Sequence, residues 1–564
     1  MRTNRTSGPA LKSLALATAA ALGLIFSSAP GSAVGASPPT PAQTEADAVR
    51  LLEQSTWGPN DALVAHVKAV GAAAFVDEQL AAPQTKYTAF AWWPATRPAE
   101  CVNDTTKPDT GTSNCQRDNY TLFQLQREFF RNAVMAPDQL RQRVAFALSQ
   151  ILVTSGTEIS QAYAMQRYQQ MLADLAFDNF RTVLTQVTLS PAMGNYLDMV
   201  NNLKPNAITG VQPNENYARE VMQLFSIGTV ELKLDGTPLL DAQRKPVATY
   251  DQDEIEGFAH VFTGWTYPTA PGASPRTGLN PRSYDGPMEE RQQYHDYLAK
   301  KLLDGGTAAA NLPMPADLAN AIDILFRHPN VGPFLSKQLI QKLVTGNPSP
   351  AYVMRVATVF NDNGRGVRGD LAAVVRAILL DSEARGDVKT DPDYGRLREP
   401  AQFVVAVARA LNAKSDGVFF RAQATAMGQP VFTAPSVFNF YPPDYLVPGT
   451  GILGPEFALQ NTATTFARIN YVNTLVFTPA INPDPAVWGA TGTQLDWSAL
   501  SALAGDPAAL VAKLNRLLLH GTLSTDAQNA IVTAVNAVSA TDALTRARTA
   551  FYLAVTSSHY QVER

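Results

Sequence analysis

The side chains best equipped for chemistry fall into three stretches of this chain. The first, Pro213-Asn-Glu-Asn-Tyr-Ala-Arg-Glu-Val-Met-Gln-Leu-Phe225, is its densest polar helix. At about 100° per residue, Tyr217, Val221, Leu224 and Phe225 share one face, and Glu215, Asn216, Arg219, Glu220 and Gln223 the other. Glu215 and Arg219 stand at i, i+4 in the order that suits an ion pair, with Asn216 over Glu220. Spacing alone favours a solvated face carrying one helical salt bridge, worth a few tenths of a kcal/mol. The chemical alternative is a pair of carboxylates, one acting as general acid and the other as base or nucleophile, with Arg219 holding one of them ionised. Asn214 and Asn216 would then meet the substrate.

The second stretch is Asp251-Gln-Asp-Glu-Ile-Glu-Gly-Phe-Ala-His260, followed by Gly264-Trp265 and then by Tyr294-His295-Asp296 with Lys300 one turn on. Asp251 and Glu254 have the spacing of a capping box, which accounts for most of the acidity without function. It leaves Glu256 and His260 at i, i+4. Two His beside carboxylates could act as acid and base or ligate a metal, although a lone His is more often a structural hydrogen-bonder. The third stretch is an aromatic and Pro-rich loop at 427–448 that contains Phe440 and Tyr441. With Trp265 and Tyr267 these rings could stack on sugars, but packed core aromatics are the commoner case. The expected catalytic set is therefore Glu215, Arg219, Glu220, His260, His295 and Asp296. The expected substrate contacts are Asn214, Asn216, Trp265, Phe440 and Tyr441. No metal ligand and no cofactor is assigned.

Other motifs fail when their mechanism is checked. Gly364, Gly366 and Gly369 match GxGxxG, yet the preceding residues have helical spacing and Asp370 reads as the N-cap of a following helix. The stretch Asn361-Asp-Asn-Gly resembles a calcium loop but has Ala372 and Ala373 where a bidentate Glu is required. GxSxG, HExxH, GxxxxGK[ST] and CxxC are absent from the sequence.

The elements that must position these residues are mostly helices. The 564 residues are 46% hydrophobic and 17% charged, enough apolar surface for a large core. A net charge of −4 argues against a nucleic-acid binder relying on a diffuse basic surface. Arg2, Arg5 and Lys12 precede the apolar run 14–26 and then small residues, the order of a secretory signal peptide ending near Ala33 or Ala36. Its removal leaves 42 basic against 49 acidic residues, a net −7, and no later run long enough to span a membrane. In an oxidising compartment Cys101 and Cys115 are expected to form a disulfide worth roughly 3 kcal/mol rather than a redox pair.

Helical periodicity marks 45–56, 61–79, 120–134, 138–154, 160–174, 177–189, 315–327, 331–345, 351–361, 370–380, 399–411, 497–504, 507–520, 524–539 and 542–556. Between 228 and 250, alternation and two turn signals predict a β-hairpin or three-strand meander. Residues 268–287 form a long loop. The expected fold is mainly α, a large multi-helical domain with a small β insertion. Its parts are a signal peptide (1–36), an N-terminal helical part (37–225), a hairpin and loop insertion (226–300), a second helical part (301–472) and a C-terminal helical segment (473–564).

Four pieces in this order carry a family resemblance: Arg50-Leu-Leu-Glu-Gln-Ser-Thr-Trp-Gly-Pro59, Asn214-Glu-Asn-Tyr-Ala-Arg-Glu220, Phe262-Thr-Gly-Trp265 and Pro435-Ser-Val-Phe-Asn-Phe-Tyr441. From about residue 46 to about 472 the chain resembles the bacterial domain of unknown function 1800 family. The resemblance implies an exported, largely helical protein, often encoded beside a sulfatase-like protein of the domain of unknown function 1501 family, and it transfers no reaction. Many members carry Trp-His-x-His-Phe where this chain has Ala145-Phe-Ala-Leu-Ser-Gln150, so any site those His build is missing here. The leading functional expectation is an extracytoplasmic hydrolase acting on a polymer such as a polysaccharide through carboxylate and His chemistry. Its rival is a noncatalytic binding or assembly protein working with the co-encoded partner, and a metal-dependent enzyme is the third reading.

Overall fold

Helices begin where the sequence supplies a side-chain acceptor for the first free backbone N–H groups. In the computed structural model, which describes residues 44–104, 106, 114–386, 389 and 391–564, Asn60 accepts from the amide of Leu63 at 2.9 Å and opens the Asp61–Val70 helix. Asp370 caps Leu371–Leu380 through the amide of Ala373, and Asp251 with Glu254 completes the expected capping box on Gln252–Val261. Breaks follow conformational rules as closely. The helix expected at 61–79 is two helices, Asp61–Val70 and Ala72–Ala81, because Gly71 takes φ +87° between them. The GxGxxG segment is a turn joining Pro350–Asn361 to Leu371–Leu380, in which the Asp362 carboxylate accepts from the amides of Gly364 and Gly366. Among the described residues two longer helices escape the periodicity, Val418–Ala426 and Thr462–Phe477, as do the short Cys115–Asn119, Pro191–Tyr196 and Ser558–Gln561. The second is rich in Thr, which lowers helix propensity, and is started by an Asn461–Thr464 capping box. The proposed leader and its cleavage site lie outside the described residues.

The described residues from 44 onward form one compact unit, mainly α, in which four two-residue strand pairs serve as clasps. The clasp Arg396–Leu397 with Val562–Glu563 brings the end of the chain against its middle. Trp57, with no exposed surface, centres an aromatic cluster with Phe129 and Phe146, and the Arg143 guanidinium lies 5.1 Å from its ring. Cys101 and Cys115 are joined by a disulfide, and among the described residues no helix is long and apolar enough to cross a membrane. Both features are compatible with an exported protein.

The insertion expected at 228–250 is present as three extended segments that bond in a closed cycle. The amide of Leu239 donates to Glu231 O (2.7 Å), that of Val247 to Leu239 O (3.0 Å) and that of Glu231 to Val247 O (2.8 Å). Three segments this short bury little of their own, so a side chain from the helical body holds them. Asn330, fully buried between Met314–Arg327 and Val331–Leu343, accepts from the amide of Leu232 at 2.9 Å and donates to the carbonyls of Ile227 (2.9 Å) and Val230 (2.8 Å). Asn330→Ala strands three backbone groups, so we expect a loss of about 2–4 kcal/mol in chemical unfolding. A loss below about 1 kcal/mol would mean the cycle holds itself.

Candidate functional site

The helix Asn216–Gln223 divides two polar regions. Its apolar face is anchored by Tyr217, whose buried hydroxyl meets that of Thr188 at 2.7 Å. From its polar face Asn216 donates to Asp198 Oδ2 (3.2 Å), while the Arg219 guanidinium donates to Glu215 at 2.9 Å. Asn214, just ahead of the helix, is locked to Asn202 by two bonds, its amide to Asn202 Oδ1 (2.8 Å) and Asn202 Nδ2 to its carbonyl (3.2 Å). Asp198 and Asn201 both take positive φ, which short polar side chains tolerate and which turns the chain sharply after Pro191–Tyr196.

Phe262-Thr-Gly-Trp265 joins the two regions. Gly264 has φ +87°, and a Cβ there would come within 3.0 Å of the His295 backbone nitrogen and 3.1 Å of Arg291 O. Its amide donates to Asn202 O and its carbonyl accepts from Arg291. Trp265–Thr266 then pairs antiparallel with Glu289–Glu290, and the Thr266 hydroxyl donates to Asn201 Oδ1 at 2.6 Å. Trp265 is itself buried and offers no ring face to a ligand.

On the side of Asn214 and Asn216 lies a cleft of about 630 Å³, within the size range of ligand sites. Asn195, Asn201, Asn214 and Asn280 line it with amides, Tyr267 contributes a hydroxyl that donates to Asn195, and Asp198 and Arg282 are its one carboxylate and one guanidinium. Amides, a phenol and an opposed charge pair form a surface that exchanges hydrogen bonds with neighbouring hydroxyls.

Two carboxyls outside the cleft lining, Glu158 and Glu220, both act on Tyr196, and Asp198 acts on the first of them. Burial, and after it the negative charge of Asp198, pushes Glu158 above the usual carboxylate range. Burial likewise raises Glu220 against the pull of Arg219, and its Oε2 is buried with no hydrogen-bond partner. Both carboxylates help burial push Tyr196, between them, up to about 12. Glu158 and Asp198 were not singled out from the sequence. One sits in a turn and the other at a helix end, where acidic residues have ordinary local explanations. The Asp-x-x-Asn-Asn run at 198–202 was the available signal.

The second region collects other expected residues into a surface stripe. The Gln252 amide donates to Glu215 (3.0 Å) and more weakly to Glu256 (3.4 Å), and one turn further His260 bonds through Nδ1 to Asp296. Burial works to raise Asp296, but the Leu298 amide, His260 and Lys300 outweigh it and hold the carboxyl below its usual range. His260 keeps 27% of its side chain exposed, so Asp296 orients an accessible imidazole. His295 is fully buried instead, with Nδ1 on Thr263 O (2.9 Å) and Nε2 3.2 Å from Asp317, which also takes Lys300 at 2.7 Å. The structure thus brings Glu215, Arg219, His260 and Asp296 into one stripe and places Glu220 with Tyr196 and Tyr250. No His enters the electrostatic surroundings of Glu220.

Phe440 and Tyr441 lie elsewhere. Phe440 is half-buried against the core, and Tyr441, 2% exposed, donates to Glu399 Oε2 at 2.8 Å while Lys342 Nζ sits 4.0 Å from its ring. Gln150, from the run where relatives of the resembled family carry His, donates to the same Glu399 oxygen at 2.9 Å. Glu456 completes this enclosed group. Burial pushes it up to about 7, although Arg396 and Lys342 pull it down, and neither of its oxygens is hydrogen-bonded. Its folded value exceeds the unfolded one, so it costs nothing below about pH 4.5 and progressively more until about pH 7. Glu456→Gln should therefore leave stability unchanged near pH 4 and raise it by up to about 3 kcal/mol at pH 8, read as melting temperature against pH. Equal shifts at both pH values would sink this account.

Among the described residues one group has metal-ligand types close together, Glu231, Asp304 and His328, with ligand atoms within 4.8 Å of one another. The Asn330 amide donates to His328 Nδ1 at 3.1 Å, which leaves the imidazole proton on Nε2, facing the two carboxylates. A nitrogen that carries a hydrogen is no metal ligand.

Compared with known proteins, residues 50–562 match the profile of a family described as "Protein of unknown function (DUF1800)". No curated protein and no solved structure matches the chain.

Proposed function

The chain belongs to the DUF1800 family, and from that premise we propose that it is an exported hydrolase of a polyhydroxylated polymer, a polysaccharide, cut in the cleft beside Asp198. The observation that carries this reading is an amide-lined cleft with Asp198 on its wall and a second carboxyl, Glu158, near enough for the Asp198 charge to add to the burial that raises it. Hydrolysis of a glycosidic bond uses two carboxyl groups, one as acid and one as base. Glu158 gives its proton to the leaving oxygen as the carbon–oxygen bond breaks, and Asp198 takes a proton from the water that adds to the carbon. Solvent then reprotonates Glu158 and deprotonates Asp198. Asn195, Asn201 and Asn214 hold the sugar hydroxyls, and Glu220, at i+4 from Asn216 on the same helix, keeps the wall around Tyr196 polar.

Incubating the full chain with a panel of plant, algal and bacterial polysaccharides, and following new reducing ends, tests the reading. We expect release from at least one polymer and a loss of roughly 10²-fold or more in Glu158→Gln. Binding without release, equal in wild type and variant, would replace the hydrolase by the noncatalytic binding protein.

A further inference from the structure

Arg282 is the cleft's one guanidinium, and the described residues leave it without a carboxylate within ion-pair distance. Neighbouring acids are already engaged, Asp285 with Arg167 at 2.5 Å and Glu289 with Arg291 at 3.0 Å. The Arg282 side chain stands within electrostatic reach of the hydroxyls of Tyr284 and Tyr267. Tyr267 in turn feels Arg282 on one side and Asp198 on the other. The cleft lining thus holds one positive side chain, Arg282, and one negative, Asp198, together with Tyr267.

We propose that Arg282, with Tyr267 beside it, is the subsite for an anionic substituent of the polymer, a uronate carboxylate or a sulfate half-ester. This rests on the hydrolase reading and adds the substrate class to it. An unpaired guanidinium presents a planar fork that matches either oxyanion in two parallel hydrogen bonds. Asp198 repels the same substituent, so an acidic sugar enters in one orientation, its charge at Arg282 and its linkage toward the carboxyls. A neutral sugar meets the amides equally well but gains nothing at Arg282.

The test is calorimetric binding of three oligosaccharides of equal length to the full chain, one neutral, one built of uronic acids and one sulfated. Wild type should bind one acidic oligomer at least roughly tenfold more tightly than the neutral one, and which of the two it prefers identifies the substituent. Arg282→Gln should abolish the preference, bringing the acidic oligomer's affinity down to that of the neutral one. Arg282 is exposed, so the variant is expected to fold. Equal affinity for neutral and acidic oligomers, or a preference that survives in Arg282→Gln, overturns the anionic subsite and leaves the hydrolase reading standing. Failure to bind all three overturns both.

Discussion

Replacing Asp198 by Asn is expected to lower polymer hydrolysis by roughly 10³-fold with little change in thermal stability. The side chain lies exposed on the cleft wall, and its one direct partner is the Asn216 amide, which Asn can also accept from. Nothing is left stranded, so the fold is indifferent. The chemistry is affected twice. The group that takes the proton from water is gone, and with it goes the negative charge that, after burial, raises Glu158. Activity depends on Glu158 being protonated, so it falls as pH rises through that group's pKa. Losing the Asp198 charge lowers that pKa, and the alkaline limb of the residual activity should move to lower pH. Initial rates across pH on the best polymer read both effects. A fully active Asp198→Asn protein, or an unmoved limb, would remove Asp198 from the reaction.

The largest effect on stability is expected at Glu53. Its carboxylate accepts from Arg398 and, at 2.8 Å, from His520, and all three side chains are buried. Three distant parts of the chain meet there: the Glu45–Ser55 helix, the strand preceding Pro400 and the end of Pro507–Leu519. Burial alone would raise Glu53, but Arg398 and His520 bring it down to about 2. Glu53→Gln leaves a guanidinium buried without its anion, which costs about 3–5 kcal/mol. The folded value lies below the unfolded one, so the stabilisation is complete above about pH 4.5 and disappears as pH falls toward 2. Wild type and Glu53→Gln should therefore converge on acidification, and urea unfolding at pH 7 and pH 3 would show it. Adding Arg398→Met should recover part of the loss, because it removes the stranded charge. A constant gap between the two proteins over this range would contradict the assignment.

Local rules reach a definite distance into this protein. The amphipathic face of Asn216–Gln223, the capping box at Asp251, the N-cap at Asp370 and the sheet-like insertion after Gly228 all depend on neighbours within a few residues, and each is legible from the chain. The mainly α architecture follows from the sum of such rules. The disulfide between Cys101 and Cys115 is equally local, its partners being the two cysteines the chain contains.

What local rules do not carry is which polar residues become enclosed, and with whom. His260 and His295 look alike in sequence, yet one keeps an accessible ring and the other disappears against Asp317. Tyr441 and Trp265 look like stacking platforms and are core, while Asp198 looks like loop punctuation and stands on the cleft wall. The reason is the range of the forces involved. Periodicity, capping and turn preference act over one or two helical turns, so residue order determined most of the helices, several of their ends and the disulfide. Desolvation and ion pairing depend on every segment packed nearby, and only the packed tertiary structure decided which carboxyls are raised and which guanidinium is left facing a cleft.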